Sequence, residues 1–314
     1  MEILKLQPCG KDYLWGGVRL REEYGKKIDL TPLAETWECS VHPDGPSVIA
    51  NGEFKGQMLA EVLKIHPEYL GAKVKNGELP VLVKFIDAKK DLSVQVHPDD
   101  EYAKVHEGDN GKTEMWYVID AEEGSSLIYG FKHRVTEEIL RKAVETGTLD
   151  RYLQKVEVHK GETYFVPSGT IHGIGAGILM AEIQESSNVT YRVYDYDRLQ
   201  DGKPRALHVQ QSIDVIKAPF EPAVAEHEKL DVEGAEAEKL VSCPCYTVCK
   251  ATVNGTAEFD WNQPFVDISV LDGEGSFDGT PVKKGTHLIV PACYGKMKAE
   301  GKNLMMIYSY ITQK

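Results

Sequence analysis

Positive charge is in short supply in this sequence. Its 36 Lys and Arg stand against 49 Asp and Glu, a formal net charge of −13. Like charges repel, which argues against nucleic acid or an anionic membrane surface as partner. An anionic small substrate would need a locally basic pocket. No apolar run reaches bilayer-spanning length. The segment Met1-Glu-Ile-Leu-Lys-Leu6 has no basic stretch followed by an apolar one, so no secretory signal is visible. Cysteine is also scarce, with six in 314 residues. Cys243, Cys245 and Cys249 lie in Ser-Cys-Pro-Cys-Tyr-Thr-Val-Cys, which lacks the Cys-x-x-Cys spacing of a zinc knuckle. Reduced thiols in or near a strand, in a soluble cytoplasmic chain, are the expectation. The oligomeric state is not legible.

What is present reads as mainly β, punctuated by Gly and Pro. Short apolar runs fill residues 1 to 55, with a short helix expected near Arg19 to Tyr24. Met58, Leu59, Val62, Leu63 and Ile65 fall at helical spacing within 57–69. Strands are expected at Val81 to Ile86, Leu92 to His97 and Gly111 to Ile119. Helices are expected after Pro98, over Thr136 to Val144 with Thr136 as N-cap, and over Leu149 to Leu153. Strands at Thr163 to Val166, Ile178 to Ile183 and Val189 to Tyr194 follow, then a helix over Ala206 to Ile216. Residues 219 to 238 look like an acidic, Ala-rich connector, and the remainder is β-like.

The stretch Gly161-Glu-Thr-Tyr-Phe-Val-Pro-Ser-Gly-Thr-Ile-His172 organises the chain. Gly161 permits a turn before a strand, and Pro167 and Gly169 end that strand in a corner that aims His172 backwards. A degenerate echo follows at Gly285 to Lys296. There Pro291 keeps its place, Cys293 replaces Gly169 and Lys296 replaces His172. Val270-Leu-Asp-Gly-Glu-Gly275 likewise echoes Val118 to Gly124. Two related barrels are inferred, of which only the first keeps the chemistry. The expected domains are 1–218 and 219–314. His287 enters as a ligand only if this repeat is absent.

Strand alternation places Ser93, Gln95 and His97 on one face, Lys112, Glu114 and Trp116 on another, and Thr190, Arg192 and Tyr194 on a third. Taken singly, Gln95 is a surface amide, His97 a turn histidine, Glu114 a cross-strand partner of Lys112, and Arg192 a partner of the Asp195–Asp197 acids. Together, Gln95, His97, Glu114 and His172 suit Zn²⁺ or another borderline divalent ion, with a position left open.

Four segments then carry a resemblance: Ser93-Val-Gln-Val-His-Pro-Asp-Asp100, Gly111-Lys-Thr-Glu-Met-Trp116, Val166-Pro-Ser-Gly-Thr-Ile-His172 and Ile183-Gln-Glu-Ser-Ser-Asn-Val-Thr-Tyr-Arg-Val-Tyr-Asp-Tyr-Asp-Arg198. In this order, with the early Trp15-Gly-Gly and Ala34-Glu-Thr-Trp-Glu, they closely resemble the type I mannose-6-phosphate isomerases of the cupin superfamily, in their short bacterial form. The resemblance runs from about Tyr13 to Arg198. It implies two jelly-roll barrels with a few inserted helices. It also implies one Zn²⁺ per chain and interconversion of mannose 6-phosphate and fructose 6-phosphate through an enediol(ate). It assigns His97, Glu114, His172 and Gln95 to the metal, Arg192 to the active-site arginine and Lys112 to the lysine beside the ligating Glu. Lys112 is expected to have a depressed pKa and to relay protons. The base that takes the C–H proton is not legible, and Ser93, Lys89, Lys90 and Arg198 are candidates for the phosphate. A metal-dependent oxygenase and a non-catalytic sugar-binding cupin are the competing functions.

Overall fold

The structure is a computed structural model that describes residues 1–74, 78–200, 202–217 and 225–312. It is mainly β, as expected. The first barrel is a pair of facing antiparallel sheets. One has six strands in the order Thr163–Val166, Glu114–Ala121, Ile178–Glu185, Val81–Ala88, Glu35–Cys39, Cys9–Lys11. The other has five, in the order Tyr191–Tyr194, Val94–Val96, His172–Ile174, Ser126–Phe131, Leu153–Glu157. Between them lies a core that includes Trp15, Trp116, Tyr129 and Tyr164.

The third sheet is built on long strands, Thr247–Trp261, Val266–Phe277 and Gly295–Tyr310. Alternate buried residues such as Phe259, Trp261, Met297 and Tyr308 form its own core. This sheet also takes in Leu4–Gln7, which pairs with His287–Val290, and Val48–Ile49. The first fifty residues therefore complete both halves of the molecule.

Several expected elements are shorter or different. The helix over 57–69 divides into Leu59–Ile65 and a 3₁₀ turn at Pro67–Tyr69, because Pro67 cannot continue the ladder. Leu149 to Leu153 is a 3₁₀ turn, Leu149–Arg151, that runs into a strand. The helix at 206–216 is Val209–Val215. The expected connector at 219–238 is corrected in part. Residues 218–224 lie outside the described residues, but Glu228–Val232 and Ala235–Ser242 pair as a hairpin. Its two-residue turn carries Gly234 at φ +79°, and Glu228, Asp231 and Glu236 occupy exposed positions of the strands. Composition there concealed a period-two pattern. Thr136 caps the helix Glu137–Glu145 through a bond from the Ile139 N–H, as anticipated.

Candidate active site

Two transverse rows of side chains face one another across the first barrel. In the six-stranded sheet the register places Trp37, Lys84, Glu182, Trp116 and Tyr164 side by side. In the opposite sheet it places Arg192, Gln95, His172 and Tyr129 in line. Trp116 meets His172 edge-on at 5.3 Å, and Tyr129 meets Tyr164 at 5.7 Å. These aromatic contacts close one end of the space between the rows, and the charged residues line the rest.

Glu114 lies two residues before Trp116 and so shares its face. Its carboxylate is completely buried, with Oε1 3.3 Å from His172 Nε2 and Oε2 3.5 Å from His97 Nε2. The ligand atoms of His97, Glu114 and His172 all fall within 4.8 Å of one another. Each histidine is fixed by its other nitrogen. His97 Nδ1 is 2.8 Å from Val189 O, and His172 Nδ1 is 2.9 Å from Thr170 O. A carbonyl can only accept, so Nδ1 carries the proton and the Nε2 lone pair points at Glu114. Burial first, then the Lys112 charge, holds His97 well below its ordinary range. Burial likewise takes His172 down to about 4. Neutral imidazoles are what a metal requires.

The Gln95 amide ends 3.4 Å from His172 Nε2 and accepts at Oε1 from Ser93 Oγ at 3.3 Å. Neither Glu114 oxygen accepts a well-formed hydrogen bond, although Lys112 Nζ stands 2.6 Å from Oε2 and 3.1 Å from His97 Nε2. A buried carboxylate costs several kcal/mol unless paired, and Lys112 supplies the one ammonium partner of Glu114 among the described residues. Desolvation, then the neighbouring Glu182, pushes its pKa upward. Two neutral imidazoles, a buried carboxylate whose Oε1 has no hydrogen-bond donor among the described residues, and an amide form a donor set that fits a divalent cation.

Glycines bring these groups together. Gly111 passes so close to the helix after Pro98 that a Cβ would lie 2.3 Å from the Asp100 nitrogen. That approach lets Lys112 N–H bond Pro98 O at 3.0 Å and turns its side chain toward His97. Gly169 sits at φ +85°, its N–H on His97 O at 2.8 Å, and a Cβ would meet Val215 O at 2.8 Å.

Above the cluster is a cavity of about 280 Å³. Its lining includes Ser93, Gln95, Lys112, Thr190 and Arg192, all anticipated, and Lys84, Glu182, Asn188, Arg205 and His208, which sequence reasoning missed. Glu182 Oε1 lies 3.2 Å from Lys84 Nζ and 3.8 Å from Lys112 Nζ, and its Oε2 accepts from Trp116 Nε1 at 2.9 Å. Against the upward push of burial, Lys112 and Lys84 hold Glu182 in its anionic form, well below the usual carboxylate range. The missed signal was a charge inside an apolar strand: Lys84 in Val81-Leu-Val-Lys-Phe-Ile86, and Glu182 in Ile178-Leu-Met-Ala-Glu-Ile183.

Other expected residues lie elsewhere. Lys89 and Lys90 line a separate cavity beside Gly16, Gly17 and Arg19. Arg198 is tied to Asp195 and to Asp91 O. Tyr194 does not follow Thr190 and Arg192 into the cavity, because a register shift after Arg192 breaks the alternation and it packs on the outer helical side. His287 is buried in the third sheet instead, with Nδ1 2.7 Å from Ser269 Oγ.

Known proteins share this arrangement of chain and fold. The family model of the phosphomannose isomerase type I catalytic domain matches residues 3–127, and that of the mannose-6-phosphate isomerase cupin domain matches residues 236–311. Over 295 residues the chain is 45% identical to a mannose-6-phosphate isomerase of Streptococcus mutans, covering 92% of each chain. Over 308 residues it is 41% identical to the mannose-6-phosphate isomerase ManA of Bacillus subtilis, covering 96% of each. The crystal structure of the mannose 6-phosphate isomerase from Bacillus subtilis superimposes with a TM-score of 0.94 at 36% identity, covering 99% of this chain and 100% of that one. A phosphomannose isomerase from Salmonella typhimurium shares the fold, at a TM-score of 0.81 and 16% identity over the whole of both chains. The chain belongs to the type I mannose-6-phosphate isomerases and is an isomerase.

Proposed function

We propose that this isomerase is zinc-dependent, carries one Zn²⁺ per chain, and interconverts D-mannose 6-phosphate and D-fructose 6-phosphate by moving a proton between C1 and C2. The observation that carries the reading is the buried Glu114 carboxylate, faced by two Nε2 lone pairs and paired with Lys112 alone among the described residues, beneath a cavity rich in cations. His97, Glu114 and His172 would hold the metal, with the Gln95 amide as a fourth donor. When bound, Zn²⁺ polarises the sugar carbonyl and stabilises the negative charge developing on its oxygen.

The rest of the chemistry falls to the chain. Arg192 reaches the cavity with its Nε buried and without a partner, while one Nη donates to Ala206 O at 3.1 Å. A permanent cation with a spare N–H suits an enediol(ate) oxygen or a substrate hydroxyl. Lys112, in contact with Glu114 and near Glu182, holds and returns the travelling proton, and Glu182 fixes the position of its ammonium group. Arg205, braced by a two-bond pairing with Asp195, faces the same cavity and suits the phosphate better than Lys89 or Lys90, which line the other one. Ser93, also in the lining, supplies a hydroxyl.

Metal analysis combined with a coupled assay for fructose 6-phosphate formed from mannose 6-phosphate tests the reading. Stoichiometric zinc with turnover is expected. Iron with oxygen uptake, or sugar binding without turnover, would overturn it.

A further inference from the structure

Between the strands Ala235–Ser242 and Thr247–Trp261 the chain turns through Cys243-Pro-Cys-Tyr246, closed by the Cys243 N–H on Tyr246 O at 2.9 Å. The two cysteines flank Pro244 within this one turn, which makes their side chains near neighbours. Cys243 is buried, Pro244 is exposed, and Cys245 is part-exposed, so a small oxidant can reach the pair from one side. Thiols two residues apart in a turn are within the Cα reach of a disulfide.

The turn also touches the chain beside the active site. Cys245 Sγ donates to Glu185 Oε1 at 3.1 Å, and Glu185 Oε2 accepts the Thr113 N–H at 2.8 Å. The Tyr246 hydroxyl donates to Thr113 O at 3.3 Å. Both peptide groups of Thr113 therefore meet this turn, directly or through Glu185, and Thr113 separates Lys112 from Glu114.

We propose that Cys243-Pro244-Cys245 is a reversible thiol-oxidation site, closed to a disulfide by a hydroperoxide, and that its state is passed to the isomerase cavity through Glu185 and Thr113. The second half rests on the roles given above to Lys112 and Glu114. In the first step the Cys243 thiolate attacks one peroxide oxygen. An S–O bond forms, the O–O bond breaks, and the alkoxide or hydroxide leaves with the electron pair and is protonated. Cys245 sulfur then attacks the sulfenic sulfur of Cys243. An S–S bond forms, and the hydroxyl departs as water with the proton that Cys245 gives up. Two thiols lose two protons and two electrons, and the hydroperoxide becomes an alcohol and water. Once the disulfide forms, Glu185 loses its thiol donor.

The test uses the full-length protein with Cys293→Ser, which removes the exposed thiol. After stoichiometric hydrogen peroxide, intact mass is expected to fall by two hydrogen atoms, and peptide mapping is expected to place the bond at Cys243–Cys245. Turnover should change by about threefold or more with metal content constant, and dithiothreitol should restore it. Cys243→Ser and Cys245→Ser should each be insensitive, and the latter keeps a hydroxyl donor for Glu185. Oxidation elsewhere, with this pair left as thiols, would overturn the site. A disulfide at this turn that leaves turnover unchanged would overturn the transmission. An inactive reduced enzyme would instead count against the isomerase reading, since mass and mapping do not depend on it.

Discussion

Gly161 N–H bonds Val118 O at 2.8 Å, and Gly285 N–H bonds Val270 O at 2.9 Å. Val118 N–H returns to Glu162 O, and Val270 N–H to Thr286 O, both at 2.9 Å. The strands Thr163–Val166 and His287–Val290 follow at the same offset, and each ends at a proline. The residues in third place, Gly169 and Cys293, are both left-handed, at φ +85° and +52°. These two turns are one backbone device used twice. What differs is the side chains it carries. Glu114 pairs with Val166, whereas the matching partner of Val290 is Val266. His172 is buried against Glu114, but Lys296 reaches solvent and pairs with Glu258. The interior of the second barrel holds Phe259, Trp261 and Met297. The turn therefore sets where a residue points, and the residue decides whether a site exists.

The strongest challenge to that comparison is to exchange the last residue of each turn. His172→Ala should strip the metal and cut turnover on the order of a thousandfold or more, while Lys296→Ala should leave both unchanged. Metal analysis with the coupled assay reads both variants, and full metal occupancy in His172→Ala would refute the ligand assignment. Arg192→Ala should lower turnover by about 10²–10³-fold with zinc content near normal. Equal loss of zinc and rate would make Arg192 a structural residue. In the second barrel, Val266→Glu installs the missing carboxylate without its partners. It should cost about 3 kcal/mol or more in denaturant unfolding and gain no metal.

Smaller effects probe the turn itself. Gly169→Ala meets Val215 O and should destabilise by about 1–3 kcal/mol, whereas Cys293→Gly relieves a left-handed residue and should stabilise by about 0.5–1 kcal/mol. The smallest is a pH effect. Burial lifts Asp267 from 3.8 to about 7. In that window the folded state holds a proton that the unfolded state has released, so stability falls as pH rises from 3.8 through 7. Thermal melts of Asp267→Asn at pH 5.5 and pH 8 should show its advantage over the parent growing toward the alkaline side.

Much of the site was legible because its residues carry local signatures. Gln95 and His97 stand at period two before Pro98, Glu114 follows the Gly111 approach, and His172 ends a Gly-Pro-Gly corner. Lys84 and Glu182 were not legible as a pair, since they lie 98 positions apart and meet only through strand register. Lys89 and Lys90 looked suitable for phosphate by charge alone, but they follow the strand Val81–Ala88 and line a different cavity. The hairpin at Glu228–Ser242 was hidden by its acidic composition, because charges on an exposed strand face look like a linker until the alternation is traced.

The sequence by itself determined the β-rich class, the repeated Gly–Pro turn and which His and Glu side chains gather in the buried cluster. All of these depend on local dihedral preference and short periodicity. Tertiary structure alone decided which charges share the cavity, through cross-strand pairing between distant segments. It also decided that the first strand of the chain, Leu4–Gln7, completes the sheet of the second barrel. Pairing of this kind is set by the burial of whole faces, and no single stretch of sequence records it.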